Sequence, residues 1–354
     1  MKNVFLSDIH IGINAPTNLY QTSTNQANLK RILKRIQNDK DVNDLVILGD
    51  WLDLWMYGTT TVPPTVQQII AANPAIFIKQ SDDSGDFVTC LENINGTIHY
   101  VNGNHDITVT SEDINGYFNT VSTKQVQCSP EGYNSGCLFA EHGHRHSMVC
   151  KPYADEPLPI GYFITRAGME AMRIKRRPLP ALDVVGIQEL ISYNGMTFAQ
   201  AILTNMASQI GLKELEHLEF VMPDGSKING ESVADKYPNL SINDLDFLRA
   251  DVAGSLDISA ESVLMRQEKG IVLFGHTHIK ELKDFKNSIY GNSGFLCANA
   301  PTNGIPVSTF IEVEDSDIGH YKVSLIKLTY QTGYFSVDNT LNIMGLPTKR
   351  NYNA

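Results

Sequence analysis

Five short apolar runs in this chain each end in residues that ligate metals. Val4–Leu6 leads into Ser7-Asp8-Ile9-His10, and Leu45–Leu48 into Gly49-Asp50 with Asp53 close behind. Thr97–Val101 leads into Gly103-Asn104-His105-Asp106 and Leu138–Ala140 into Glu141-His142-Gly143-His144. Ile271–Phe274 leads into Gly275-His276-Thr277-His278. A short apolar run bounded by turn residues reads as a buried strand, and open α/β sheets gather ligands at the carboxyl ends of their strands. A chain built this way has to bring several strand ends to one edge. Asp50, in the middle of the set, is expected to be the carboxylate shared between two ions.

Taken singly, each motif has a plain reading as a satisfied polar loop. Asp8 and His10, like His276 and His278, are two residues apart. An extended backbone would point both members of a pair the same way, so that both reach one ion. As a set, the motifs supply neutral imidazole nitrogens, carboxylate oxygens and one amide oxygen, which suits Mn²⁺, Fe or Zn²⁺ better than a thiophilic metal. Two dications close together repel, and a carboxylate between them offsets much of that repulsion. His105 has an intrinsic pKa suited to proton delivery.

Between the motifs, Asn25–Asn38 carries Ala27, Leu29, Ile32, Leu33 and Ile36 at helical spacing, and with the flanking strands it forms a right-handed βαβ unit. Val66–Ala72 and Phe87–Ile94 read as helices. Lys124–Cys128 and Gly136–Ala140 read as a hairpin turning at Gly132–Gly136. Tyr290–Asn299, Val307–Glu314 and Tyr321–Leu328 read as strands closing a second sheet, and residues after Thr340 as a tail. Residues 151–268 lack the strand-plus-ligand grammar. There, Gly161–Arg176, Val184–Gln209, Asn243–Asp251 and Glu261–Glu268 read as helices of a cap or lid inserted into a core of residues 1–150 and 269–354.

Composition narrows the function. Apolar residues make up 42% of the 354 and charged residues 19%, values of an ordinary globular protein. A net charge of −11 argues against a nuclease, which needs a basic track. The N-terminus lacks the apolar core of a signal peptide and no apolar run has the length of a membrane span, so a cytoplasmic protein is expected. The five cysteines (Cys90, Cys128, Cys137, Cys150, Cys297) are odd in number and without a CxxC, which does not describe a disulfide framework; Cys128 with Cys137 is the one pair a hairpin would bring together.

The five motifs, in this order, resemble the calcineurin-like metallophosphoesterase superfamily over about Met1–Arg145 and Gly270–Leu328. The resemblance implies an α/β fold, a four-layer αββα sandwich of two mixed sheets flanked by helices. It implies two metal ions, with Asp8, His10 and His278 on the first, Asn104, His142 and His276 on the second, and Asp50 on both. It further implies hydrolysis of a phosphate ester by a metal-bridging hydroxide. His105 would contact the phosphate and protonate the leaving oxygen, with Asp106 orienting it, and Asp53 would accept a hydrogen bond behind the ligands. The fourth motif of the superfamily selects His142 over His144, leaving His144 and His146 facing substrate or solvent. The LVILGDWLDLW stretch (Leu45–Trp55) and the insertion are also similar to the branch that cleaves the UDP-diacylglucosamine pyrophosphate bond, although the insertion here is longer. The expected substrate is a small phosphodiester or pyrophosphate-linked metabolite. A phosphomonoester is the alternative, and a metal-binding scaffold without catalysis the reading from another class. Arg173–Arg177 (RIKRR) is either a phosphate contact or a solvated helix end, and Trp55, Tyr57 and Phe163 either a substrate wall or core.

Overall fold

A computed structural model describes residues 1–81, 84–153, 156–175, 184–241, 254–285, 287–296, 307–316, 319–329 and 332–344. In chain order the strands are β1 (Lys2–Leu6), β2 (Val42–Leu48), β3 (Ile98–Val101), β4 (Gln127–Cys128), β5 (Tyr133–Ser135), β6 (Leu138–Ala140), β7 (Glu219–Val221) and β8 (Lys227–Asn229). They continue with β9 (Ile271–Phe274), β10 (Glu281–Asp284), β11 (Ile289–Asn292), β12 (Val307–Asp315), β13 (His320–Thr329) and β14 (Phe335–Met344). One sheet runs β14-β13-β12-β1-β2-β3-β4 and the other β10-β11-β9-β6-β5. Both are mixed: β1 to β4 are parallel while β12 to β14 run antiparallel, and β6, β9 and β11 are parallel between antiparallel edges.

The alternation of side chains along the strands builds the layers. Phe5, Val46, Leu48 and Val101 face Leu138, Ala140, Ile271 and Leu273 across the interior between the sheets. Val4, Leu6, Leu45 and Ile47 point the other way, onto Leu29, Ile32, Leu33 and Ile36 of the helix Thr22–Asn38. Phe139, Val272 and Phe274 carry the outer face of the second sheet, covered by Ala260, Val263 and Leu264 of the helix Asp257–Gln267. The result is the expected αββα sandwich.

Two strand assignments differ from the sequence reading. The hairpin joins β5 to β6, while β4 pairs with β3 in the first sheet. The chain therefore crosses between sheets at Ser129–Gly132, and Tyr133–Ser135, expected to be turn, is strand. The strands β12 and β13 extend the first sheet beside β1 instead of closing the second, and β14 follows them through most of the expected tail. Apolar alternation sets which face a strand buries but carries no information about which neighbour it pairs with.

The insertion has its own apolar cluster, built on the helices Ile160–Lys175 and Phe198–Gln209. The expected long helix Val184–Gln209 is broken at Gly195–Thr197, where Thr197 caps the second half with its side chain. A small hairpin, β7–β8, and the short helix Gly230–Ala234 add to it. The expected helix Asn243–Asp251 lies outside the described residues. Cys90, Cys128, Cys137 and Cys150 are free, so Cys128 and Cys137 are not bonded. No helix among the described residues is long and apolar enough to cross a membrane.

Candidate metal centre

The carboxyl ends of β1, β2, β3, β6 and β9 meet at one edge, and the loops leaving them bend sharply. Asp8 (φ 54°), His10 (φ 54°), Asp50 (φ 50°), His276 (φ 69°) and His278 (φ 58°) all sit in the left-handed region. That conformation is uncommon for residues other than glycine and clusters where function holds the backbone. It also corrects the expectation of extended Asp8–His10 and His276–His278 pairs. These residues converge because the chain curls at each of them. The curl is held by hydrogen bonds from Ile9 N and His10 N to Asp50 O, at 2.9 and 2.8 Å, which tie the first loop to the second.

Asp50 stands at the centre. Its Oδ2 is 3.5 Å from His10 Nε2 and 3.2 Å from His142 Nε2. Its Oδ1 accepts from the His105 backbone N–H at 2.8 Å. Gly103 makes room for it, since a Cβ there would meet Asp50 Oδ1 at 2.1 Å and Asp50 N at 2.4 Å. Gly49 (φ 79°) likewise leaves space for the His142 ring, which a Cβ would meet at 2.3 Å.

On one side of Asp50, His278 Nε2 lies 3.1 Å from His10 Nε2 and 3.2 Å from Asp8 Oδ1. Donor atoms of Asp8, His10, Asp50 and His278 all fall within 4.8 Å of one another. On the other side, Asn104 Oδ1 is 3.1 Å from His142 Nε2 and 2.9 Å from His276 Nδ1. Donors bound about 2.0–2.2 Å from a common ion stand roughly 3–3.5 Å apart, so these spacings suit two adjoining cations. The mixed nitrogen and oxygen donors fit such ions: Asp8, His10, Asp50, Asn104 and His142 are buried, His276 is half-buried, and His278 opens the centre to solvent. The ring of His142 is fixed by Nδ1–H donating to Leu48 O at 2.9 Å, which aims Nε2 at the centre.

The electrostatics agree. Burial, with His105 and other imidazoles nearby, holds the His10 pKa well below the usual histidine value, and burial together with His142 does the same for His276. Both rings are therefore neutral, the form that ligates. Burial opposes charge on Asp50, but His142 and His105 outweigh it and hold its carboxyl well below the usual range. Burial likewise opposes a proton on His142, yet Asp50 pushes that pKa up to about 10. A cation and that proton compete for the same nitrogen.

His105 shows the clearest departure from the expected contacts. Its Nδ1 is 3.1 Å from Asp53 Oδ1, whereas Asp106 accepts from the backbone N–H groups of Trp51, Leu52 and Gly103 at 2.8, 3.2 and 2.7 Å. Asp106 thus pins the loop after β2 to the loop after β3, and Asp53 orients the imidazole. Asp53 Oδ1 also accepts from Trp55 N and Met56 N, both at 3.0 Å, so it closes a local turn as well. Adjacency in sequence suggested Asp106, but the turn sends its side chain inward.

The His144 ring is buried, 5.5 Å between centroids from His142, and its Nδ1 has no partner. His146 is engaged by Glu141 at 2.8 Å. Arg173 pairs with Glu170 on its own helix, which leaves it the bland reading of a helix end; Arg176 and Arg177 lie outside the described residues. Several contributors carried no signal in sequence. Ser293 follows β11, a sixth parallel strand end at this edge, and bonds Ser7, which in turn donates to Asp8. Phe295 stacks on His278, with centroids 4.3 Å apart and planes at 9°. Neither belongs to a spacing that marks it.

The sequence matches the calcineurin-like phosphoesterase family over residues 1–280. The chain belongs to that family. Among curated proteins no significant match is found. Solved structures with a similar course include Vps29 from Chaetomium thermophilum, at 8% identity and a TM-score of 0.38 over 98% of each chain. A predicted phosphoesterase from Streptococcus pneumoniae matches at 11% identity and 0.33 over 97% of each. An archaeal phosphodiesterase matches at 11% and 0.32 over 96% of this chain and all of its own. At these scores the family match and the site geometry carry the argument.

Proposed function

We propose that the protein is a metal-dependent phosphohydrolase that cleaves a small phosphodiester or pyrophosphate-linked substrate. The observation that carries this reading is the placement of one Asp50 oxygen between His10 Nε2 and His142 Nε2. In it, Asp8, His10 and His278 hold one ion, Asn104, His142 and His276 hold the other, and Asp50 touches both. Bound there, Mn, Fe or Zn ions would polarise phosphoryl oxygens and lower the pKa of a coordinated water.

The chain's own residues supply the rest. Asp53 fixes Nδ1 of His105, leaving Nε2 to deliver a proton to the departing oxygen. Burial opposes a proton on His105, but Asp50 and Asp53 raise its pKa above the usual value. Asp106 keeps the two loops in register so that the His105 N–H can hold Asp50. In this reading His144 is a candidate substrate contact, supported by its unpartnered Nδ1 beside His142. The insertion, taken as residues 151–268 on a core of 1–150 and 269–354 but without the helix Asp257–Gln267, which covers the second sheet and so belongs to the core, limits the substrate to small molecules. A phosphomonoester remains the second choice.

The test is a panel of bis-p-nitrophenyl phosphate, p-nitrophenyl phosphate and a nucleotide pyrophosphate with the Mn²⁺-, Fe²⁺- and Zn²⁺-loaded protein. Turnover of the diester or pyrophosphate above the monoester supports the reading. Turnover of the monoester alone reverses the substrate preference, and no turnover of any supports the scaffold.

A further inference from the structure

The His105 ring has a second neighbour that ties it to the insertion. Trp55 is buried and stacks on it, with centroids 4.7 Å apart and planes at 25°. The backbone N–H of Trp55 and Nδ1 of His105 meet the same oxygen, Asp53 Oδ1. The indole thus closes one face of the imidazole while Asp53 holds its edge.

Trp55 packs with the insertion's apolar cluster rather than with the cores on either side of the first sheet. Its companions are Met148, Ile160, Tyr162, Phe163 and Ala167, and Tyr162 meets it edge-on at 5.8 Å. The segment that follows Trp55 is bound to the insertion by a fully buried arginine. Arg166 donates to Tyr162 Oη at 2.9 Å, to Gly58 O at 2.9 Å, to Thr61 O at 2.5 Å and to Val221 O at 2.7 Å. Val221 N, on β7, donates in turn to Thr59 O at 2.8 Å. A buried guanidinium is costly unless its donors are satisfied, so these bonds fix one arrangement of helix and loop.

We propose that Trp55 is a positioning residue through which the seating of the insertion sets the orientation of the His105 ring. This rests on the reading of His105 as the proton donor, but the coupling itself is a property of the packing. When the helix Ile160–Lys175 shifts, the loop bound by Arg166 moves with it, the indole leaves the imidazole face, and His105 is free to rotate about the Asp53 contact. Proton delivery is sensitive to such a displacement, since a misplacement of about 1 Å can cost on the order of 100-fold in rate.

The chain has two tryptophans. In a Trp51→Phe background emission therefore reports Trp55 alone, and a stacked imidazole quenches it. His105→Ala and Arg166→Met should each raise that emission, the first by removing the quencher and the second by unseating the stack. In the Mn²⁺-loaded protein, Trp55→Leu should lower kcat by roughly 10- to 100-fold with KM and metal content little changed. Trp55→Phe, which keeps an aromatic face, should recover most of the loss. The proposal is overturned if Arg166→Met folds and leaves Trp55 emission unchanged, or if Trp55→Leu turns over at the wild-type rate. It is also overturned if Trp55→Phe is as slow as Trp55→Leu. A wild-type protein inactive on every substrate would remove the function proposed above, and the emission arm would still decide the coupling.

Discussion

Asp53 Oδ1 lies 3.1 Å from Nδ1 of His105, and this carboxylate, rather than the neighbouring Asp106, sets the ring. Asp53→Asn should therefore lower kcat by roughly 10-fold, the low end of a general-acid contribution, while His105→Ala lowers it by roughly 100-fold or more. Neither residue is a proposed ligand, although both neighbour His10, Asp53 at 4.0 Å and the His105 ring edge-on at 4.6 Å, so metal content measured by plasma mass spectrometry should fall far less than in Asp50→Asn. Metal loss in His105→Ala equal to that in Asp50→Asn would contradict the division of roles.

Asp50→Asn should lower metal content and turnover together. The amide replaces a charged oxygen that faces His10 and His142 at 3.5 and 3.2 Å, and it leaves two adjacent cations without the anion between them.

The Gly103 prediction is steric. Gly103→Ala puts a methyl group 2.4 Å from the Asp50 backbone nitrogen, which cannot rotate away. The loops after β2 and β3 must separate, at a cost of about 1–3 kcal/mol in stability. A lower thermal midpoint and weaker metal retention are the readouts.

Away from the centre, Asp44 joins the two sheets. It accepts from Thr97 N and from Tyr133 Oη, both at 3.1 Å. Burial works against its charge, but the hydrogen bonds from His99, Thr97 and Tyr133 prevail and its pKa falls below the ordinary 3.8. A depressed folded-state pKa contributes stability that is whole above the unfolded value and is lost as pH falls through the folded one. The Asp44 contribution should thus hold above about pH 4 and fade below about 3.8. Asp44→Ala should cost about 1–3 kcal/mol at neutral pH by stranding the buried Tyr133 hydroxyl and the half-buried Thr97 N–H. Urea unfolding at a series of pH values should show a shallower acid loss in the variant than in wild type.

Much of the centre was legible because its chemistry and its topology coincide in sequence. Each ligand-type residue follows a short apolar strand, so placing the strands places the ligands. Asp8, His10, Asp50, Asn104, His142, His276 and His278 do converge, though through left-handed turns that no spacing announces. Sheet membership was less legible: β12 and β13 read as strands, but their pairing with β1 depends on long-range register. The partner of His105 was misread because Asp106 is adjacent in sequence while Asp53 is adjacent in space. Arg166 had no signal, since a buried arginine satisfied by carbonyls looks the same in sequence as a solvated one.

The measurement that bears most directly on the account is metal content of the purified, metal-loaded chain, read beside hydrolysis of bis-p-nitrophenyl phosphate. Two transition-metal ions per chain, with turnover that disappears on chelation and returns on reloading, is the predicted result. A chain that binds no such ions, or hydrolyses the diester equally well after they are stripped, would contradict it.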